Sequence, residues 1–322
     1  VRRCYGPPDV LRIEDVEKPV PADDQVLVEV RAASVNPVDW HFVRAKPYVI
    51  RIGSGIGKPK NSRVGIDFAG VVEAVGKDVT RFKPGDEVFG GKFGALAEYV
   101  TVSEQGSMVA KPANLTFEQA GAVHVAALTA LQALRDRGQV KPGQKVLING
   151  ASGGVGTFAV QIAKWLGAEV HGVCSSRNAE MVRSLGADHV FDYRKEDFTE
   201  SGQLYDVVLD NVGNRALLDV RRVLKPQGKY ILIGGGGPDE GPWIGVFVGA
   251  IKAWVVSLFV DQDMGMFISD ASTADLEILS GLMQSGKVTP IIDRTYPMTE
   301  AADAMRYLEE GHARAKVVVT FD

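Results

Sequence analysis

Cysteine is scarce. Cys4 and Cys174 are the only two in 322 residues, and they lie far apart in sequence. That excludes a disulfide framework, fits a reducing compartment, read here as the cytoplasm, and leaves too few thiols for a four-cysteine or three-cysteine-one-histidine zinc site. Basic charge is not in excess either: 36 Lys and Arg against 40 Asp and Glu give a net charge of −4, so the electrostatic footprint of a nucleic-acid binder is missing. Histidines are few and scattered (His41, His124, His171, His189 and His312), with no pair at the i, i+4 spacing of a helical zinc motif, so each reads as a core or surface residue. The chain opens without a charged-then-apolar leader, and nothing points to secretion. It also opens without Met, only a short run before the Gly6-Pro7 turn, so a few residues of the first strand are expected to precede Val1.

The stretch that organises the chain is 145–164. Lys145-Val146-Leu147-Ile148 is a short apolar run, the form of a strand covered on both faces. It enters Gly150-Ala151-Ser152-Gly153-Gly154-Val155-Gly156, after which Phe158, Ile162, Trp165 and Leu166 recur at helical spacing. Strand, glycine turn and helix make a dinucleotide fingerprint, with Ala151 where the first glycine usually stands. Gly153 would let backbone approach a pyrophosphate, Gly156 would let the helix pack close, and the helix N-terminus at Gly154 and Val155 offers N–H groups and a positive dipole end.

The next strand reads as Glu169-Val170-His171-Gly172-Val173-Cys174 and ends in Ser175-Ser176-Arg177-Asn178. An NAD site places an acid about here, roughly 20 residues past the glycines, for the ribose 2′-hydroxyl. This chain has two hydroxyls and a guanidinium instead, which suit a 2′-phosphate through charge-assisted, two-pronged hydrogen bonds. Tyr193 could close over the same phosphate. Arg177 also reads as a solvated helix-start residue, but NADPH is the expected cofactor.

Taken in order, the first third is β-rich: Val10-Leu11-Arg12-Ile13-Glu14 alternates, and residues 25–32 alternate more clearly. Close-set short strands with Gly and Pro turns suggest a small barrel. Thr116 is expected to cap a helix running, with a break, through 126–134. From Lys145 strands and helices alternate as in a parallel sheet with crossover helices. The expected fold is therefore α/β, with a barrel domain formed by 1–121 and 262–322 and a Rossmann domain formed by 122–261.

Along essentially its whole length the chain resembles the medium-chain dehydrogenase/reductase superfamily, and within it the zinc-free quinone oxidoreductase branch. The motifs that carry the likeness are Ser34-Val35-Asn36-Pro37-Val38-Asp39, Gly65-Ile66-Asp67-Phe68-Ala69-Gly70-Val71-Val72, Lys83-Pro84-Gly85-Asp86-Glu87-Val88, Ala126-Ala127-Leu128-Thr129-Ala130, the 150–156 turn and the ending 307–318. The resemblance implies a GroES-like β-barrel catalytic domain, an inserted Rossmann doubly wound domain and a cleft between them. Zinc-dependent relatives have Cys where this chain has Asn36, and His-Glu where it has Ile66-Asp67. Ile66 has no donor atom and Asn36 is a poor zinc ligand, so no metal is expected.

Without a Lewis acid, simple alcohol oxidation loses its main driving element. Quinones and α,β-unsaturated carbonyls are electrophilic in themselves, and their reduction depends chiefly on proximity and on donors near the oxygen. By resemblance Asn36 and Asp39 stand beside the nicotinamide, where they would orient carboxamide, ribose or substrate oxygen; from the residues alone Asn36 also reads as an Asn-Pro turn and Asp39 as a helix cap. Tyr48 could donate to the acceptor oxygen or be merely a loop aromatic. Asp67 reads as a structural carboxylate. For the cofactor, Thr129, Asn211, Val212 and Gly234 lie at the ends of sheet strands, joined with Ala151, Ser152, Gly153, Gly154, Val155, Ser175, Ser176, Arg177 and Tyr193; Lys316 is added on resemblance alone.

One apolar run, 243–260, carries Lys252 as its only charge. A membrane span needs about 20 apolar residues, and the run lies inside an α/β domain, so it is read as core and dimer seam. A greasy lip on the cleft and a helix lying in a membrane interface are the other readings. The expected protein is a homodimeric, zinc-independent NADPH-dependent quinone reductase. An enone reductase with the same cofactor residues and a non-catalytic NADPH-binding interaction protein are the alternatives.

Overall fold

The computed structural model describes residues 1–234, 245 and 247–321, and the chain divides into two compact units, Val1–Leu128 with Ala271–Asp322, and Thr129–Asp270. The first begins with β1 (Gln25–Val35), α1 (Pro37–Arg44), α2 (Ile50–Ser54), β2 (Asp67–Val75), β3 (Glu87–Gly91), β4 (Tyr99–Ser103), β5 (Met108–Ala110), α3 (Phe117–Ala120) and the first half of α4 (His124–Gln132), which the boundary divides. The second contains β6 (Lys145–Asn149), α5 (Gly154–Trp165), β7 (Glu169–Cys174), α6 (Ala179–Ser184), β8 (His189–Asp192), β9 (Tyr205–Asp210), α7 (Leu217–Arg222), β10 (Leu224–Leu232), α8 (Phe247–Ser257) and β11 (Asp263–Met266). The chain then returns to the first unit with α9 (Thr273–Gln284), β12 (Ile292–Pro297), α10 (Ala301–Glu309) and β13 (Lys316–Thr320).

The first unit is a sheet of order β12-β13-β1-β2-β3-β5, with β4 also on β1. Val26, Val28 and Val30 alternate into its core, the period-2 burial that β-branched residues favour. β2 runs antiparallel along one edge of β1, while the other is shared by β4 at 25–29 and β13 at 32–35. Both edges being taken, the alternating segment 10–14 finds no strand to join; among the described residues it forms a single bridge, Arg2 to Leu11. Thr116 caps α3 as its sequence predicts, its hydroxyl accepting from Gln119 N–H and the Gln119 side chain accepting from Thr116 N–H.

The second unit is a six-stranded, all-parallel sheet of order β11-β10-β9-β6-β7-β8. The order reverses at β6, where strands proceed outward on both sides, so the carboxyl ends of β6 and β9 form the switch point at which such sheets bind ligands. The boundary expected at 261/262 shifts to 270/271, because β11 pairs with β10 and is part of this sheet. The boundary expected at 121/122 shifts to 128/129.

Of the apolar run 243–260, residues 243, 244 and 246 lie outside the described residues. α8 buries Ala253 against the core, with Val256 and Val260 packed beside it. Its other face leaves Ile251, Trp254 and Val255 exposed, with Leu258 and the 82% exposed Phe259 just beyond the helix. Among the described residues no helix is long and apolar enough to cross a membrane.

Candidate functional site

In the second unit the glycine turn is built as its sequence predicts. Gly150 has φ of +78°, and the N–H groups of Gly150 and Ala151 both donate to the Val173 carbonyl, at 3.1 and 3.0 Å, tying the turn to β7. A Cβ at Gly156 would stand 2.1 Å from the Gly150 oxygen, so close packing of α5 on the turn requires glycine there. At Gly153 a Cβ would make only an ordinary 3.4 Å contact. Nothing in the protein demands glycine at that position, yet it leaves backbone open at the N-cap of a 12-residue helix, whose first-turn N–H groups have no intrahelical acceptors. That cradle fits a pyrophosphate.

Ser152 is linked to the next turn, its hydroxyl accepting from Asn178 Nδ2 at 3.0 Å. That turn holds Ser175, buried, with Ser176 and Arg177 exposed. Tyr193 is 39% exposed just past β8. Sequence reasoning found no acid at the end of β7, but the structure brings one from the neighbouring strand: Asp192 is the register partner of Cys174. Burial acts to raise its pKa, yet hydrogen bonds from the Arg194 N–H and Ser176, with the Lys195 charge, hold it below the usual carboxylate range. Its Oδ2 accepts no hydrogen bond among the described residues and lies 3.8 Å from Lys195 Nζ. The signal was legible only as a residue opposite the end of β7, which requires the strand order.

At the strand ends, Asn149 Nδ2 donates to Asp210 Oδ1 at 2.8 Å and to Asn214 Oδ1 at 3.0 Å. The same Asp210 oxygen accepts from the N–H groups of Val212 and Gly213, and Tyr230 donates to Asp210 Oδ2. Burial and the adjacent Asp210 push the Tyr230 phenol well up. This network fixes the 210–213 turn and presents Asn211, whose Nδ2 donates to the Asn149 carbonyl while its buried Oδ1 has no partner among the described residues. An orphan acceptor at a switch point calls for a donor, which a nicotinamide carboxamide or ribose hydroxyl supplies. A Cβ on Gly234 would come to 3.0 Å from the Asn211 oxygen of the main chain. Thr129 pairs with Ser269 at 2.9 Å. The residues present thus fit a dinucleotide. Asn149 and Tyr230 were missed, although each is a polar residue ending or interrupting an apolar strand.

The first unit holds a buried polar cluster. Register brings it together: Ser34 pairs with Asp67 across β1 and β2, and Val35 with Val317 across β1 and β13. Asp67 Oδ2 accepts from Ser34 Oγ at 2.6 Å, Asn36 Nδ2 at 3.0 Å and Lys316 Nζ at 3.3 Å, while Oδ1 accepts from Val125 N–H at 2.9 Å. Lys316 also donates to Asn36 Oδ1. Asp39 caps α1, its Oδ2 accepting from Asn36 N–H at 2.8 Å, and its Oδ1 is buried without a partner. Burial pushes the Asp39 carboxyl up to about 7, helped by the nearby Asp67 and opposed by the Asn36 N–H and Lys316. His124 meets Ser107 at 2.9 Å, and burial pulls its imidazole below its ordinary value.

Asn36, Asp39 and Lys316 are therefore in one group, whereas Tyr48 enters a different one, its ring 4.4 Å from the Arg51 guanidinium. Ser34, Ser107 and His124 were missed; Ser34 stands two residues before Asn36, on the same strand face, which is the pattern that could have found it. Among the described residues no three His, Cys, Asp or Glu side chains gather as a metal would need.

A mostly antiparallel sheet unit with a parallel, doubly wound unit carrying a glycine cradle defines a dinucleotide-dependent dehydrogenase or reductase. Residues 22–113 match the alcohol dehydrogenase GroES-like domain, and residues 185–319 match the zinc-binding dehydrogenase family. The mouse (Mus musculus) protein NAD(P)H oxidoreductase RTN4IP1, mitochondrial, is 36% identical, covering 98% of this chain and 87% of that one. The 2-methylene-furan-3-one reductase of Solanum lycopersicum is 34% identical, covering 98% of this chain and 76% of that one. The quinone oxidoreductase structure from Coxiella burnetii superposes with a TM-score of 0.85 at 30% identity, covering 99% of this chain and 97% of that one. The chain belongs to the quinone oxidoreductase branch of the medium-chain dehydrogenase/reductase superfamily, with its GroES-like and Rossmann domains, and is an NAD(P)H oxidoreductase of that family.

Proposed function

We propose that this protein is a metal-independent reductase that passes hydride from NADPH to a quinone. The observation that carries the reading is the Lys316 ammonium, which donates to both Asn36 and Asp67. A metal ion entering at these residues would meet a fixed like charge, and the acceptor must then be electrophilic without a Lewis acid, as a conjugated carbonyl is.

NADPH, when bound, supplies the hydride. The chain's residues do the rest: the 153–155 backbone holds the pyrophosphate, Ser175, Ser176 and Arg177 hold the 2′-phosphate with Tyr193 over it, and Asn211 orients the nicotinamide end with Thr129, Val212 and Gly234 around it. In the first unit, Asn36 and Lys316 provide donors and positive potential on which charge developing at an acceptor oxygen is stabilised, and Tyr48 is a further donor. Asp39, poised near neutrality, holds a proton within the same cluster. The Asp192 carboxylate beside Ser176 favours a site that also admits NADH.

An enone reductase is the second reading, favoured by the tomato relative's name. The test is NADPH oxidation across naphthoquinones, benzoquinones and alkenals. Faster turnover of quinones supports the first reading, faster turnover of alkenals the second, and tight NADPH binding without any turnover overturns both. The exposed face of α8 is proposed to meet a second copy. The two free cysteines support a reducing compartment, with the cytoplasm proposed.

A further inference from the structure

Outside the Lys316 cluster, two arginines of the first unit have buried N–H groups that find no acceptor among the described residues. Arg2 is 2% exposed, and its Nε and Nη1 lack partners; the Nε of Arg51 is in the same condition. Both guanidinium groups lie against one ring, 5.3 and 5.0 Å from the Tyr5 centroid, and Arg51 is also 4.4 Å from the Tyr48 centroid. Tyr5 is fixed in place, its hydroxyl donating to the Gly55 carbonyl at 2.7 Å and meeting Ser54 Oγ at 3.1 Å.

A guanidinium cannot shed its proton, so burial leaves a charge and its donors to be satisfied together. The tyrosine faces offset part of the charge but accept none of the in-plane N–H bonds. Acids close in sequence are engaged elsewhere: Glu14 with Arg3, and Asp9 with Arg306. Burial lowers the Arg2 pKa, and Tyr5, not a carboxylate, is what opposes it. Two guanidinium groups against one ring, with buried unpaired donors and no counter-charge on them among the described residues, leave room for an anion.

We propose that Arg2 and Arg51 bind an oxoanion, a carboxylate or a phosphate, through Arg2 Nε and Nη1 and Arg51 Nε. A guanidinium edge matches two oxygens of such a group, and an oxoanion satisfies the charge and the buried donors at once. Its source is either a free ion or an anionic substituent on the acceptor. The second source rests on the reductase reading above, in which Tyr48 contacts the acceptor; oxoanion binding itself does not.

The test is calorimetric titration of the whole chain with inorganic phosphate and with acetate, at ionic strength held constant with chloride. A saturable site additional to any at the cofactor's phosphate pockets is expected for at least one of the two ions. It should weaken at least tenfold in Arg51→Gln and in Arg2→Gln and persist in Arg177→Ala. Arg51 is only half-buried, so its variant keeps the test open should Arg2→Gln fail to fold. No heat above the chloride control, unchanged binding in Arg51→Gln, or loss in Arg177→Ala alone overturns the site. Kinetics then separate the sources: a KM that rises in Arg51→Gln for a carboxylated naphthoquinone but not for its neutral parent places the anion on the acceptor. Equal KM changes for both, with phosphate binding retained in wild type, make it a free ion.

Discussion

Lys316 and Asp67, 249 residues apart in sequence, lie 3.3 Å apart with their side chains 3% and 0% exposed. β13 brings the lysine beside β1, and β2 brings the aspartate to the same place, so one ion pair joins the beginning and end of the first unit. Removing one partner of a buried pair leaves the other charged and alone, which costs about 3–5 kcal/mol. Lys316→Met should lower stability by about that much in urea unfolding, and adding Asp67→Asn should recover part of the loss. A change below about 1 kcal/mol in Lys316→Met would mean that the pair is not buried as described.

The Asp39 carboxyl gives a stability dependence on pH with a defined sign. Its folded pKa of about 7 lies above the ordinary value of 3.8, so the folded state binds the extra proton. The contribution is full below about pH 4 and is lost as pH rises through 7, up to roughly 4 kcal/mol. Relative to wild type, Asp39→Asn should become progressively more stable between pH 4 and 8. A difference that does not vary with pH would place the Asp39 pKa at its ordinary value.

In the proposed 2′-phosphate site, Arg177 and Asp192 act on cofactor choice with opposed charges. Arg177→Ala should weaken NADPH roughly ten- to a hundredfold, the scale of one charge-assisted hydrogen bond, and leave NADH nearly unchanged. Asp192→Asn should move the preference the other way, toward NADPH. Dissociation constants for both cofactors check this, and equal weakening of both in Arg177→Ala would remove the 2′-phosphate assignment.

How much of this was legible beforehand follows from range along the chain. The glycine turn, Thr116 cap and alternating strands depend on neighbours within a few residues, and the structure has them where pattern and propensity place them. Segment 10–14 alternates too, though less clearly than 25–32, but a strand also needs a free edge, and those of β1 are taken by β2, β4 and β13. Asn36 and Asp39 stood out as candidates, yet the sequence could not show that Lys316 ties up the Asn36 amide, because that contact depends on where β13 returns. Asp192 was hidden for the same reason: it stands beside Cys174 only through the pairing of β7 with β8.

The apolar face of α8 supplies a test of assembly. Trp254 and Leu258 are each 60% exposed, and covering such side chains is worth about 25 cal/mol per Å². An isologous dimer buries the face on both copies at once. Sedimentation should show a dimer at micromolar concentration, and Val255→Asp should shift it toward monomer. A wild-type monomer that floats with liposomes would assign the face to a membrane surface instead.

The most direct test of metal-independent reduction is kcat/KM for 1,4-naphthoquinone with NADPH, measured before and after exhaustive dialysis against a strong chelator, with elemental analysis of the same sample. The ammonium of Lys316 on Asn36 and Asp67 predicts no change in rate and no stoichiometric zinc in either sample. One zinc per chain before dialysis, with activity lost on its removal and restored on its return, would contradict the account.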